Sequence, residues 1–158
     1  MQENILTDKK ILYVEDDEFI AGVVTHHLMQ AGAQVTHVLG GNDAIEKLSQ
    51  EFFDIVLTDL VMPNGNGIDL IEFIRSNPNP RIQQLPVLVL TNMGNDDPHV
   101  IKAAALEVTG FFAKSSTPFE ELVRVIACVL CIDQSCQLEE LPISIIPKDV
   151  ADSSMHAS

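Results

Sequence analysis

Short apolar runs rich in β-branched residues alternate along this chain with longer amphipathic ones, and that alternation limits the possible folds more than any single residue does. The runs "KILYVE" (10–15), "AQVTHV" (33–38), "FDIVLTD" (53–59), "PVLVLT" (86–91) and "GFFAK" (110–114) read as strands. Between them, 18–32, 41–51, 66–76, 95–108 and 118–130 have helical spacing. In the first helix Phe19, Val23, Val24, His27 and Leu28 share a stripe, and Gly32 is placed to end it. Asn42 or Asp43 can cap the second helix, and Asp96 or Asp97 can cap the fourth ahead of Pro98. The prolines of 77–85 mark a loop. Near-continuous apolar strands separated by helices predict a (βα)5 α/β fold, a doubly wound parallel sheet covered on both faces.

A chain of 158 residues holds one such domain with a proper core and is too short for two. Residues 132–158 show no sustained period and end in small polar residues, so they read as a partly disordered C-terminal tail with one apolar patch, "LPISIIP". The formal net charge of −14 argues against binding nucleic acid through its phosphates, and suits contact with basic patches or cations. No apolar run approaches the ~18 residues of a membrane helix, and the polar start "MQENILTDKK" is unlike a signal peptide. No membrane insertion and a reduced, cytoplasmic setting are therefore expected. Cys128 and Cys131 have CxxC spacing, but they fall within the helical run "LVRVIACVLCI". With Cys136 the nearest further thiol and no fourth ligand nearby, they read as buried helix thiols rather than a zinc site.

In an open α/β sheet, chemistry gathers at the carboxyl ends of the strands. Here the first strand ends in Glu15-Asp16-Asp17, the third in Asp59, the fourth in Thr91 and the fifth in Lys114. The second ends in Val38-Leu39-Gly40-Gly41 and offers no charge. Taken singly, each of these residues has a bland explanation. Asp59 could cap a turn, Asp17 could cap the next helix, Thr91 is ordinary at a strand end, and a lone lysine usually faces solvent. Together they would surround one point. Two carboxylates ~4 Å apart repel by about 4 kcal/mol at a surface-like dielectric, so Glu15, Asp16 and Asp59 call for a cation. Hard carboxylate oxygens suit Mg²⁺. A divalent cation, a lysine and a hydroxyl around one carboxylate suit a phosphoryl group, with Asp59 as the nucleophile that accepts it.

The segments "ILYVEDDEF", "DIVLTDLVMPNGNG", "PVLVLT" and "GFFAKSSTPFEEL" resemble, in order and spacing, the receiver domain of bacterial two-component response regulators over roughly residues 8 to 131. That resemblance implies the flavodoxin-like strand order 2-1-3-4-5. It implies that Asp16 holds Mg²⁺ directly and Glu15 through water, and that Asp59 and the backbone carbonyl of Val61 are further ligands. Asp59 would take a phosphoryl group from a phosphohistidine on a sensor histidine kinase or phosphotransfer protein, and Thr91 and Lys114 would contact its oxygens. Phe111 stands where the family often has an aromatic residue that changes rotamer with the hydroxyl. The implied function is a non-enzymatic, phosphorylation-dependent switch that signals to a downstream protein.

The chain departs from the family in three places. Ser115 follows Lys114 where the family usually has proline in a cis peptide; without proline, cis costs ~2.5–4 kcal/mol, so a trans bond or a more mobile loop is expected. Val61 and Met93 are apolar at positions where the family varies, and the start of the first helix lacks the family's common basic residue. A phosphorylation-independent adaptor with the same fold is the alternative function. A phosphatase of the haloacid-dehalogenase type is disfavoured, because it would want a second Asp where Val61 stands.

Overall fold

The structure, a computed structural model, describes residues 4–62, 66–92, 94, 96–114 and 118–130. Among them the elements run β1 (Lys10–Val14), α1 (Glu18–Gln30), β2 (Gln34–Val38), α2 (Gly41–Gln50), β3 (Ile55–Thr58), α3 (Gly67–Arg75), α4 (Pro80–Gln83), β4 (Val87–Thr91), α5 (Pro98–Ala105), β5 (Gly110–Ala113) and α6 (Phe119–Val129). The strands form one sheet in the order β2-β1-β3-β4-β5, and every pair is parallel. This is the doubly wound α/β architecture that the sequence pattern predicts.

Both faces of the sheet are buried along β1, β3, β4 and β5, which explains why those strands are nearly all apolar. By contrast, β2 at the edge is largely half-buried and carries Gln34, Thr36 and His37. Successive strand residues point to opposite faces. Leu12, Val14, Val56, Val87, Val89 and Phe111 therefore pack under α2, α3 and α5. Ile11, Tyr13, Ile55, Leu57, Leu88 and Phe112 pack under α1 and α6. Each large side chain so buried contributes roughly 1.5–3 kcal/mol. Leu6, ahead of β1, is fully buried in the second layer, and its amide donates to Ala31 O at 2.7 Å.

The helix ends follow local chemistry. Asp17 caps α1 by accepting from the amides of Phe19 and Ile20, and Gly32 follows the helix with φ +98°. Asp97 caps α5, and Pro98 occupies its first turn. Four local expectations are corrected. Helix α2 begins at Gly41 after Gly40 with no side-chain cap, so neither Asn42 nor Asp43 fills that role. Segment 77–85 contains the short helix α4, started by Asn79 accepting from the Arg81 amide with Pro80 at its first position. The buried stripe of α1 runs through Ala21, Val24 and Leu28. Phe19 is two residues from Ala21, about 200° around the helix, and is 81% exposed. Cys128 is buried but disulfide-bonded, not a free thiol. Cys131, Cys136, the tail 132–158, Ser115 and Met93 lie outside the described residues.

Helix α5 is shorter than 95–108 because Glu107 takes a left-handed backbone (φ 64°) directly after its C-cap. Arg75 at the end of α3 supports that turn. Its guanidinium donates to Glu107 O and Leu106 O (3.1 and 3.3 Å) and to Gln83 O and Leu85 O (2.7 and 2.8 Å). One planar fork thus satisfies carbonyls from two chain segments, which a lysine's point charge cannot reproduce. Burial lowers the Arg75 pKa from its ordinary value, with Glu107 partly opposing. Arg75→Met should cost about 2–4 kcal/mol, because several carbonyls lose a charged donor. Urea unfolding checks this, and Arg75→Lys should recover only part of the loss.

Candidate functional site

At the carboxyl edge of the sheet the residues that end β1, β3 and β5 meet. Ligand-capable oxygens of Glu15, Asp16 and Asp59 lie within 4.8 Å of one another. Lys114, just past β5, places its Nζ 2.8 Å from Glu15 Oε1 and 2.9 Å from Asp59 Oδ2. Three of the residues singled out in the sequence are thereby joined by direct contact, with Asp16 alongside and exposed.

Backbone interactions set this geometry. Asp59 N donates to Val14 O at 3.2 Å, extending the β1–β3 pairing to the site. Asp59 Oδ1 accepts from the Leu60 amide at 2.7 Å, which orients the carboxylate and leaves Oδ2 toward Lys114. Lys114 N donates to Thr91 O at 3.2 Å, so the lysine leaves β5 tied to β4. Glu15 Oε2 accepts from the Asp17 amide at 3.1 Å, while Asp17 itself serves as the α1 cap. Thr91 ends β4 with only 2% exposure, and Phe111 is fully buried in the layer under α3 and α5. Val61 is 48% exposed beside the site.

Burial governs the electrostatics. Glu15 is only 1% exposed, and burial pushes its carboxyl above the ordinary glutamate range; Asp59 adds to that push, while Lys114 and the Asp17 amide oppose it. For Lys114, burial acts to lower the pKa, but Glu15 and Asp59 together outweigh it and hold the ammonium above its ordinary value. Glu15 Oε1 accepts no aligned hydrogen bond, although Lys114 Nζ touches it. With all groups ionised, three carboxylates face one ammonium and leave two negative charges, the amount that a divalent cation neutralises. The oxygen-only donor set and the two uncompensated negative charges fit Mg²⁺.

Comparison with known proteins gives the family. The sequence profile of the response regulator receiver domain matches residues 11–127. The chain belongs to this family. Among curated relatives, this receiver is 32% identical over 120 residues to the uncharacterized transcriptional regulatory protein YcbL of Bacillus subtilis, a match covering 75% of this chain and 50% of the relative. It is 30% identical over 117 residues to the transcriptional regulatory protein GltR of Pseudomonas aeruginosa, covering 74% and 47%. The chain thus spans about half the length of the curated relatives it matches. Among solved structures it resembles the chemotaxis response regulator CheY4 of Vibrio cholerae, with TM-score 0.67 and 27% identity over 78% of this chain and 99% of that one. It also resembles the phosphorylated cyanobacterial phytochrome response regulator RcpA, with TM-score 0.64 and 26% identity over 78% and 91%.

Two contacts that shape the receiver's site are not visible in the sequence pattern. Gly67 opens α3, and a Cβ built on it would clash with the carbonyl oxygen of Asp59. Its amide also donates to Leu60 O at 2.8 Å. The glycine was visible in the sequence, but the approach of α3 to β3 that requires it was not. His37 in β2 donates from Nε2 to the Glu15 carbonyl oxygen at 2.8 Å. β2 ends without a charged residue, so nothing in its pattern marked it.

Two predictions follow from this geometry. Gly67→Ala must displace the Asp59 backbone or the start of α3, so it should cost about 1–3 kcal/mol and shift the Asp59 and Leu60 amide resonances. For Glu15, the folded state binds its proton more tightly than the unfolded chain does. Its ionisation therefore costs stability near neutrality, and that cost disappears as pH falls through the raised folded value towards about 4.5. Glu15→Gln should accordingly stabilise the metal-free protein near pH 7, with the gain narrowing on acidification; urea unfolding in EDTA across that range measures it.

Proposed function

We propose that this receiver is a phosphorylation-dependent switch whose phosphoacceptor is Asp59, and that it signals by protein–protein contact. The observation that carries this reading is the contact of one lysine with both Asp59 and Glu15 at the strand ends, with Asp16 beside them. Receiver domains as a family are signalling switches rather than typical enzymes, and family membership supports the general reading.

Oδ2 of Asp59 is our candidate nucleophile, since Oδ1 accepts the Leu60 amide. It forms a bond to phosphorus as the P–N bond of a phosphohistidine breaks, and the leaving imidazole nitrogen keeps that electron pair. The phosphohistidine belongs to a sensor histidine kinase or phosphotransfer protein. Lys114 Nζ, already 2.9 Å from Oδ2, supplies positive charge to the incoming phosphoryl oxygens. Thr91 supplies a neutral donor from the end of β4. Glu15, Asp16, Asp59 and the Val61 carbonyl are the residues that would hold Mg²⁺. When bound, the ion supplies charge neutralisation at the phosphoryl oxygens.

The switch is a shift between two arrangements of the β4–β5 end. Adding a phosphoryl group gives Lys114 a new anionic partner and draws Thr91 toward it. Phe111 is already fully buried here, so the packed arrangement is accessible before phosphorylation. The responding surface is the face of α5, β5 and α6, where a downstream protein would dock. With a chain charge of −14, a protein partner suits that surface better than nucleic acid does. No helix among the described residues is long and apolar enough to cross a membrane. A cytoplasmic location is proposed from the family alone. Residues 8–131 are assigned to the receiver and 132–158 to a tail.

Beryllofluoride with Mg²⁺ should shift the amide resonances of Asp59, Thr91, Phe111 and Lys114, and Asp59→Asn should abolish the response. An unchanged response in Asp59→Asn would sink the assignment. If beryllofluoride produced no change in the parent protein, the phosphorylation-independent adaptor would be favoured.

A further inference from the structure

We infer that His37 is a positioning residue for the acidic half of the site, fixing the turn that carries Glu15 and Asp16. The inference deepens the proposed function, because it rests on the reading of that turn as part of the metal-holding group. Glu15 is held at three points. Its amide donates to Val38 O at 3.0 Å, continuing the β1–β2 ladder by one residue. Its carboxylate takes the Asp17 amide and touches Lys114. Its carbonyl oxygen accepts from His37 Nε2 at 2.8 Å. The first two contacts fix where the residue starts and where its side chain ends. The third fixes the peptide plane between Glu15 and Asp16, and so sets the direction in which the chain presents the Asp16 carboxylate.

The acceptor defines the chemistry. A carbonyl oxygen cannot donate, so Nε2 must carry the proton. The imidazole is braced to hold that direction: its ring lies 5.7 Å from the fully buried Tyr13 ring, tilted by 42°. His37 and Tyr13 are register partners on neighbouring strands, which is why the rings meet. On its other side His37 lines the groove between α1 and the end of β2, with Glu18, Thr25, His26 and Leu39. Held by packing and aimed at one acceptor, it serves as a rigid donor to a turn that otherwise protrudes from the sheet.

The test compares two replacements of similar size in the full chain, isotopically labelled and at fixed pH. His37→Leu keeps bulk against Tyr13 but removes the donor; His37→Gln keeps an N–H that can reach the Glu15 carbonyl. In an Mg²⁺ titration followed by the Asp16 and Asp17 amides, His37→Leu should bind about three- to tenfold more weakly. His37→Gln should stay within about twofold of the parent, by the same scale. In EDTA, hydrogen exchange at the Asp17 amide, which donates to the Glu15 carboxylate, should speed up in His37→Leu and not in His37→Gln. If His37→Leu is too unstable to study, His37→Asn replaces it, its shorter amide falling short of Glu15.

Equal Mg²⁺ affinity and equal Asp17 exchange in His37→Leu and the parent would overturn the inference. So would a glutamine variant as impaired as the leucine one, since packing alone would then account for the effect. A parent that binds no Mg²⁺ counts against the reading of the site as a whole; the metal-free exchange measurement still decides the role of His37.

Discussion

The contact of Lys114 with both Glu15 and Asp59 is the interaction on which the rest of the site depends. A carboxylate as buried as Glu15 is costly to ionise without a partner, and Asp59 lies near enough to add repulsion. Neighbouring strands are about 4.8 Å apart, and in this sheet β4 separates β5 from β3, with β1 further on. A cation leaving β5 must therefore reach across at least two strand spacings to touch Asp59. The long stem of lysine allows that, and at 12% side-chain exposure much of the stem is packed while the head meets both carboxylates. The acidic residues of β1 and β3 can converge because β5 ends in a residue long enough to join them.

That convergence also needs backbones that approach closely and turns that hold their direction. Gly67 lets α3 start against the Asp59 carbonyl, where any side chain would collide. The Leu60 amide then fixes one carboxylate oxygen and leaves the other to Lys114. On the β1 side, Asp17 caps α1 and donates its own amide to Glu15, so the start of a helix and the charge beside it are fixed by the same residue. Sequence-local hydrogen bonds set the directions, and the parallel ladder sets the positions.

The same division explains what could be read in advance. The apolar runs of β1, β3, β4 and β5 identify a sheet covered on both faces, because period and composition are local properties that burial imposes on each buried strand. Glu15, Asp16, Asp59, Thr91 and Lys114 were legible because each follows a run whose end could be seen. Phe19 was misplaced because a helical stripe read from spacing leaves its rotation about the axis open, and Ala21, too small to stand out, sets that rotation. Helix α5 ends early at a left-handed Glu107, a turn held by Arg75, some thirty residues upstream, through the Leu106 and Glu107 carbonyls. His37 and Gly67 are significant for a contact made across the fold, by a ring to a neighbouring strand's carbonyl in one case and by a missing Cβ in the other. Neither contact leaves a periodic trace.

If Asp59 is the phosphoacceptor, as proposed, the layering offers a route from it to a distant surface. Lys114 emerges from β5, and Phe111 lies three residues earlier on the same short strand, buried beneath α3 and α5. Thr91 ends the neighbouring strand, and its carbonyl receives the Lys114 amide. On the proposed reading, a phosphoryl group on Asp59 would carry about −1.5 to −2 charge where the carboxylate carried one, so it would strengthen the pull on Lys114 and offer Thr91 an acceptor. Strands this short and closely packed do not stretch; they shift as units between packed arrangements. Any displacement of the β5 end on phosphorylation would therefore be taken up by the side chains beneath α5 and α6. The charge balance at the sheet edge and the packing of the helical face are thus two ends of one four-residue strand.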